Sequence, residues 1–253
     1  MAQLGEIVAY CNALLKVEEF RDYCPNGLQL EGKNEVNKII AGVTASQALL
    51  DAAIEQEADA VLVHHGYFWK GEDATIVGIK KKRIQRLLAQ DVSLLAYHLP
   101  LDAHEEYGNN IELARKLGIA VDSVVSQGPA SGLLWYGHLE ASLAASDLAQ
   151  HIETVLQRRP LYLPSASQSP IHRVGWCSGG AQGYIEEAAK LGLDAYISGE
   201  VSEQTFHLAQ ELDIHYFAAG HHATERYGVQ ALGTHLAHYF DLDYAFIDVD
   251  NPV

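Results

Sequence analysis

The sequence predicts an α/β protein built as two similar three-layer α/β lobes related by internal duplication. Three observations point there: short β-rich runs alternate with helical stretches, the pattern recurs at a near-constant offset, and histidines and carboxylates sit where strands end. The first twenty residues place Leu4, Ile7, Val8, Cys11, Leu14 and Leu15 at helical spacing, which describes an amphipathic helix rather than a signal peptide. Strands follow at residues 38–43, 60–65, 92–98, 172–177, 194–199 and 213–220, separated by helical segments such as QALLDAAIEQ and NIELARKLG. Strand, helix, strand is the grammar of parallel sheets covered by helices. The Gly, Pro and Ser cluster SQGPASG (126–132) marks the boundary, giving lobes 1–127 and 128–253, and SASQSP (165–170) reads as a further loop.

The repeat supports this division. Setting Ile39 against Val174, an offset of 135, aligns two helices and superposes Asp59-Ala60 on Asp194-Ala195. At a slightly shorter offset LLAYHLPLD falls on FAAGHHATE, so His98 matches His221 and Asp102 matches Glu225. A cleft between two such lobes is a common place for a ligand.

Charge and cysteine usage narrow the function. With 17 Lys and Arg against 33 Asp and Glu the formal charge is −16, and no basic stripe offers the footprint of a nucleic-acid binder. Acidic balance is compatible with metal cations. Cys11, Cys24 and Cys177 are odd in number and lack Cys-x-x-Cys spacing, which suits neither a disulfide framework nor a thiolate zinc site. No apolar run approaches bilayer length, and the expected setting is cytoplasmic.

His64 and His65 close an apolar strand just before Gly66. Successive strand residues face opposite ways, but a turn at the glycine lets both imidazoles swing toward one cavity, each reaching a different ion of a close pair. Asp102, in His98-Leu-Pro-Leu-Asp102, follows the next strand; Pro100 argues against a helix and places this hard oxygen ligand on a loop. His221 and Glu225 stand four apart and share a helix face if the helix begins at His221, a spacing at which an imidazole and a carboxylate grip one metal. A carboxylate can also bridge two cations. Mixed imidazole and carboxylate donors favour zinc, manganese, iron, cobalt or nickel over calcium or magnesium. His98 and Glu200 are candidates for proton transfer, and His207 and His222 for a supporting role behind the ligands. No P-loop is present. Ser178-Gly179-Gly180-Ala-Gln-Gly183 either offers backbone donors to an anion or packs as a tight turn, and Tyr67, Phe68 and Trp69 either stack a base or form cavity wall.

The strings PNGLQLEG (25–32), GVTASQALLDAA (42–53), VHHGYFWKG (63–71), HLPLDAH (98–104), SGEVSEQTFH (198–207) and AAGHHATER (218–226) resemble the YbgI-type, Nif-three-like family, often labelled GTP cyclohydrolase type 2-like. The resemblance spans nearly the whole chain. It implies two similar α/β lobes, a dinuclear metal centre between them and a ring-shaped homohexamer. It also implies that His64 and His65 each hold one ion, with Asp102 and His221 as further ligands and Glu225 as the bridging carboxylate. The larger insert that some relatives carry between the lobes is missing here. The expected activity is that of a dinuclear metal-dependent hydrolase acting through activated water on a small nucleotide-like or heterocyclic substrate, GTP included. The alternative is a metal carrier, delivery factor or regulatory scaffold without turnover.

Overall fold

The computed structural model describes residues 1–253. The chain forms two compact units, Met1–Gly108 with Arg226–Asp250, and Asn109–Glu225 with Asn251–Val253. Its first stretch runs β1 (Ala2–Gln3), α1 (Leu4–Leu14), β2 (Gly27–Leu30), β3 (Glu35–Val36), β4 (Lys38–Thr44), α2 (Gln47–Glu55), β5 (Ala60–His65), α3 (Gly78–Leu88), β6 (Ser93–Ala96) and α4 (Leu99–Ala103). The second unit contributes α5 (Asn109–Leu117), β7 (Ile119–Val124), β8 (Trp135–Leu143), α6 (Ala145–Leu156), β9 (Leu161–Leu163), β10 (Ile171–Cys177), α7 (Ile185–Lys190), β11 (Ala195–Ser198), α8 (Glu203–Glu211) and β12 (His215–Ala218). The helix α9 (His221–Phe240) then leads back to the first unit, which β13 (Asp243–Phe246) completes.

In the first unit the main sheet has the order β13-β4-β5-β6-β2, parallel throughout except for β2, and β1 pairs with β3 in a separate two-stranded ribbon. Its strands are apolar on both faces because helices cover both. Ala60 and Leu62 pack with Ile7 and Leu15 of the N-terminal region and with Val229, Leu232 and Leu236 of α9. Val61 and Val63, one residue out of phase, pack with Leu49 and Leu50 of α2 and Leu87 of α3. Each of these Val, Leu and Ile side chains, taken fully out of water, contributes about 1.5–3 kcal/mol. The second unit's sheet, β7-β8-β10-β11-β12-β9, has a parallel centre of β10, β11 and β12 flanked by antiparallel strands.

The offset of 135 is visible inside the units. Ile39 pairs with Ala60 in one sheet, Val174 with Ala195 in the other, and the register stays in step to Gly42 with Val63 and Cys177 with Ser198. Asp59 Oδ2 accepts the backbone N–H groups of Asn37 (2.6 Å) and Lys38 (3.0 Å), and Asp194 Oδ2 accepts those of His172 (2.8 Å) and Arg173 (2.7 Å). Both helices preceding these aspartates are followed by a left-handed residue, Glu57 at φ 58° and Gly192 at φ 65°.

Three expectations need correcting. The boundary expected at 127/128 falls instead after Gly108, because α5 and β7 belong with the second unit's sheet, and residues 226–250 complete the first unit. The six predicted strands are present with ends shifted by a few residues, but β2, β7, β8, β9 and β13 lacked a sufficiently apolar run. Asp102 lies in α4 and not on a loop: Pro100 sits in the helix's opening turn, where its missing N–H has no intrahelical partner to lose. The three cysteines are buried and form no disulfide, burial pushing the Cys11 and Cys24 thiols up to about 12. No helix is long and apolar enough to cross a membrane.

Candidate metal centre

In the first unit His64 is buried at the end of β5, and its Nδ1 stands 2.8 Å from the Tyr97 carbonyl. A carbonyl only accepts, so Nδ1 carries the hydrogen and Nε2 keeps its lone pair, 3.5 Å from Asp102 Oδ1. His65 Nδ1 meets Thr44 Oγ1 at 3.1 Å, and His98 Nδ1 meets Asp22 Oδ1 at 2.7 Å. One ring nitrogen from each of His64, His65 and His98 lies within 4.8 Å of the others. Packing is tight just beyond the pair, since a Cβ on Gly66 would overlap Gln29 Oε1 and lie 2.7 Å from Ala96 Cβ. Consecutive residues of a strand bring their rings to 4.6 Å.

In the second unit Gly220, at φ 104°, lets α9 begin at His221, and Glu225 follows one turn later. His221 Nε2 is 3.1 Å from the buried Glu225 Oε2, and its Nδ1 is 2.7 Å from Glu200 Oε1. Burial opposes the charged ring, but Glu225 and then Glu200 outweigh it by hydrogen bonding and charge, raising His221 to about 9. A half-buried imidazolium between two carboxylates marks a place where positive charge is favoured, whether from a proton or from a metal ion.

The donor set fits a transition-metal or zinc site. All four imidazoles engage a neighbour through Nδ1, which fixes ring orientation and leaves Nε2 for coordination, the usual arrangement behind metal-bound histidine. Buried Asp102 and Glu225 supply oxygen donors. Backbone approach is close in the second unit, for a Cβ on Gly179 would overlap Glu225 Oε1 and lie 3.1 Å from His221 Nε2. Gly179 is also left-handed, at φ 63°. Gly179→Ala is therefore expected to displace the Glu225 carboxylate and weaken metal binding by about tenfold or more, the scale of disturbing a ligand's support. Titration against a competing chelator measures this.

Other candidates separate clearly. Glu200 touches His221 and therefore orients that ring. His207 does not join this group: it is largely exposed on α8 and pairs with Glu203 at 3.5 Å. His222 is buried, and its backbone N–H donates to the Val253 carbonyl. The 178–183 loop packs as a tight turn, with the N–H groups of Ser178, Gly179 and Ala181 donating to Asn110, Thr224 and Ser198. Tyr67 is core, its hydroxyl donating to the Ala45 carbonyl, while Trp69 lies edge-on to His98 at 5.0 Å as wall. Sequence reasoning missed Asp22 and Asn26, whose side chains accept from the backbone N–H groups of Leu99 and His98.

The Duf34/NIF3 (NGG1p interacting factor 3) pattern matches residues 2–252. A "GTP cyclohydrolase 1 type 2 homolog" of Pseudomonas aeruginosa is 54% identical over 249 residues, covering 98% of both chains. A relative of the same description from Escherichia coli K12 is 51% identical over 247 residues, again covering 98% of both. Among solved structures, one described as "protein ybgI, unknown function" is 49% identical with a TM-score of 0.96, covering 100% of both chains. TTHA1606 from Thermus thermophilus is 34% identical with a TM-score of 0.88, also over 100% of both. A match across essentially the whole length, at about half identity to several relatives, makes this chain a member of the Duf34/NIF3 family.

Proposed function

We propose that the chain is a dinuclear metal-dependent hydrolase: His64, His65, Asp102, His221 and Glu225 would hold two divalent ions, with Glu225 as the carboxylate shared by both. The observation that supports this best is the shared anchoring of the imidazoles through Nδ1, with a buried carboxylate beside His64 and another beside His221. When bound, such a pair of ions supplies Lewis acidity and a water acidified toward neutral pH. The chain's own residues do the rest. Buried Asp102 and Glu225 balance the positive charge, Glu200 and the Tyr97 carbonyl hold the His221 and His64 rings, and His98 moves the proton.

The substrate class is a small heterocyclic or nucleotide-like compound, and the names carried by the relatives single out GTP for the first trial. Purified protein should open GTP, lose that activity to a chelator and recover it with zinc, manganese, iron, cobalt or nickel. A fully metallated protein that leaves GTP and a broad panel of heterocycles untouched, yet hands its metal rapidly to a competing apo-protein, is a carrier and overturns the hydrolase reading. We place the protein in the cytoplasm as a homohexameric ring, and light scattering on the purified chain tests the ring.

A further inference from the structure

We propose that Asp22 is a positioning residue that locks His98 in the Nδ1–H tautomer and presents the lone pair of Nε2 to the histidine cluster. This rests on the reading of His98 as the proton-transfer group. Asp22 has a side chain only 3% exposed, and both of its oxygens are fully used. Oδ1 accepts from the Tyr23 backbone N–H at 2.5 Å and from His98 Nδ1 at 2.7 Å. Oδ2 accepts from the Leu99 backbone N–H at 2.9 Å and from Asn26 Nδ2 at 2.8 Å. Asn26 cannot reverse its amide, because its own oxygen accepts the His98 backbone N–H at 2.7 Å.

Every group hydrogen-bonded to the carboxylate is therefore a donor. Two are backbone amides and a third is an amide fixed by its other end, so His98 is the one partner with a choice of tautomer. Against an ionised carboxylate it must donate from Nδ1, and Nε2 then remains a base. That nitrogen is the one available toward His64 and His65, whose rings lie 5.0 and 5.7 Å away. The repeat strengthens the point. His98 aligns with His221, and His221 likewise gives its Nδ1 to a carboxylate, Glu200, at 2.7 Å. The two carboxylates come from unrelated places in the chain, one from the segment before β2 and the other from just after β11, so the repeat itself did not supply this pairing.

The consequence is specific to an isosteric change. In Asp22→Asn the side chain must place its NH2 somewhere. Turned toward Leu99 and Asn26 it opposes two donors that cannot change, whereas turned toward His98 it opposes one fixed donor, the Tyr23 amide, and one that can change. The variant is therefore expected to fold, with His98 accepting at Nδ1 and carrying its hydrogen on Nε2, which ends its use as a base. With a turnover assay in hand, kcat should fall by about 10⁴ with little change in KM, the scale known for tautomer inversion by a carboxylate-to-amide exchange in a serine protease.

The deciding experiment is a joint neutron and X-ray structure of the deuterium-exchanged, metal-bearing protein and of its Asp22→Asn variant, with elemental analysis of both. Deuterium on Nδ1 alone in the wild type and on Nε2 alone in the variant, at unchanged metal content, supports the assignment. Deuterium on Nε2 in the wild type overturns it, as does an unchanged pattern in the variant or a metal ion seated between Asp22, Cys24 and His98. Should the variant not fold, the wild-type structure still decides through the position of the hydrogen. A tautomer switch in a protein without turnover on any substrate upholds the role of Asp22 while removing the hydrolase reading, so the two fail separately.

Discussion

Glu225→Ala should leave the protein with at most one metal ion per chain in place of the two we propose for the wild type, as elemental analysis after exhaustive dialysis would read it. Loss of groups that merely support ligands weakens metal sites by about 10–100-fold, and deletion of a carboxylate proposed to bridge two ions should exceed that range. The carboxylate is buried and lies 3.1 Å from His221 Nε2. It also contributes most to raising His221 to about 9 against the effect of burial. In the metal-free wild type at neutral pH that ring is therefore protonated, and coordination requires the proton to leave. Metal affinity should accordingly rise with pH, by up to about tenfold per unit for this one proton, and level off above about 9. Glu225→Ala should flatten the slope as well as lower the affinity. Two ions retained in the variant, or an affinity independent of pH between about 6 and 9, would count against the dinuclear centre.

How much of this was legible in the sequence follows from which forces act locally. The central strands announce themselves because both faces are covered, so KIIAGV and AVLVHH are almost uninterrupted apolar runs. The register at an offset of 135 was equally visible, since a one-residue slip would exchange the two faces of a sheet. Outer strands were not legible. β7 and β8 carry Asp122, His138 and Glu140 at partly or fully exposed positions, and β9 spans only three residues, so neither pattern rises above that of a loop. The ligand spacing His221 to Glu225 could be read because a helix turns predictably. Asp22 could not, because it meets His98 across 76 positions of sequence. Pro100 misled for a different reason: proline ends a helix from within yet suits its opening turn, and only the structure fixes where that turn lies. The boundary at 127 failed because a Gly, Pro and Ser cluster reports a turn and says nothing about which sheet the flanking strands join.

Asp59→Ala should destabilise the chain by about 2–4 kcal/mol in urea denaturation at pH 7, a larger effect than any change at the exposed charges of the surface. One carboxylate, 4% exposed, ties the start of β4 to the start of β5 by accepting two backbone N–H groups, and it also pairs with Lys33. Alanine would leave both amides without that acceptor at the head of the sheet. Asp194→Ala, which removes the matching pair of bonds in the second unit, should cost less, because that carboxylate is only half-buried. The pH dependence has a definite sign. Burial pushes the Asp59 carboxyl up, but the hydrogen bond from Lys33 and those from the Asn37 and Lys38 amides outweigh it, so the folded value lies below the ordinary one. A depressed carboxyl contributes its stability in full above its unfolded value of about 3.9 and loses it as pH falls through the folded value. The gap between wild type and Asp59→Ala should thus be flat from about pH 5 to 8 and narrow below about pH 4. A gap that stays constant down to about pH 2 would mean that Asp59 acts through shape alone, and that the carboxylates heading each pair of strands are not the electrostatic clasps their hydrogen bonds describe.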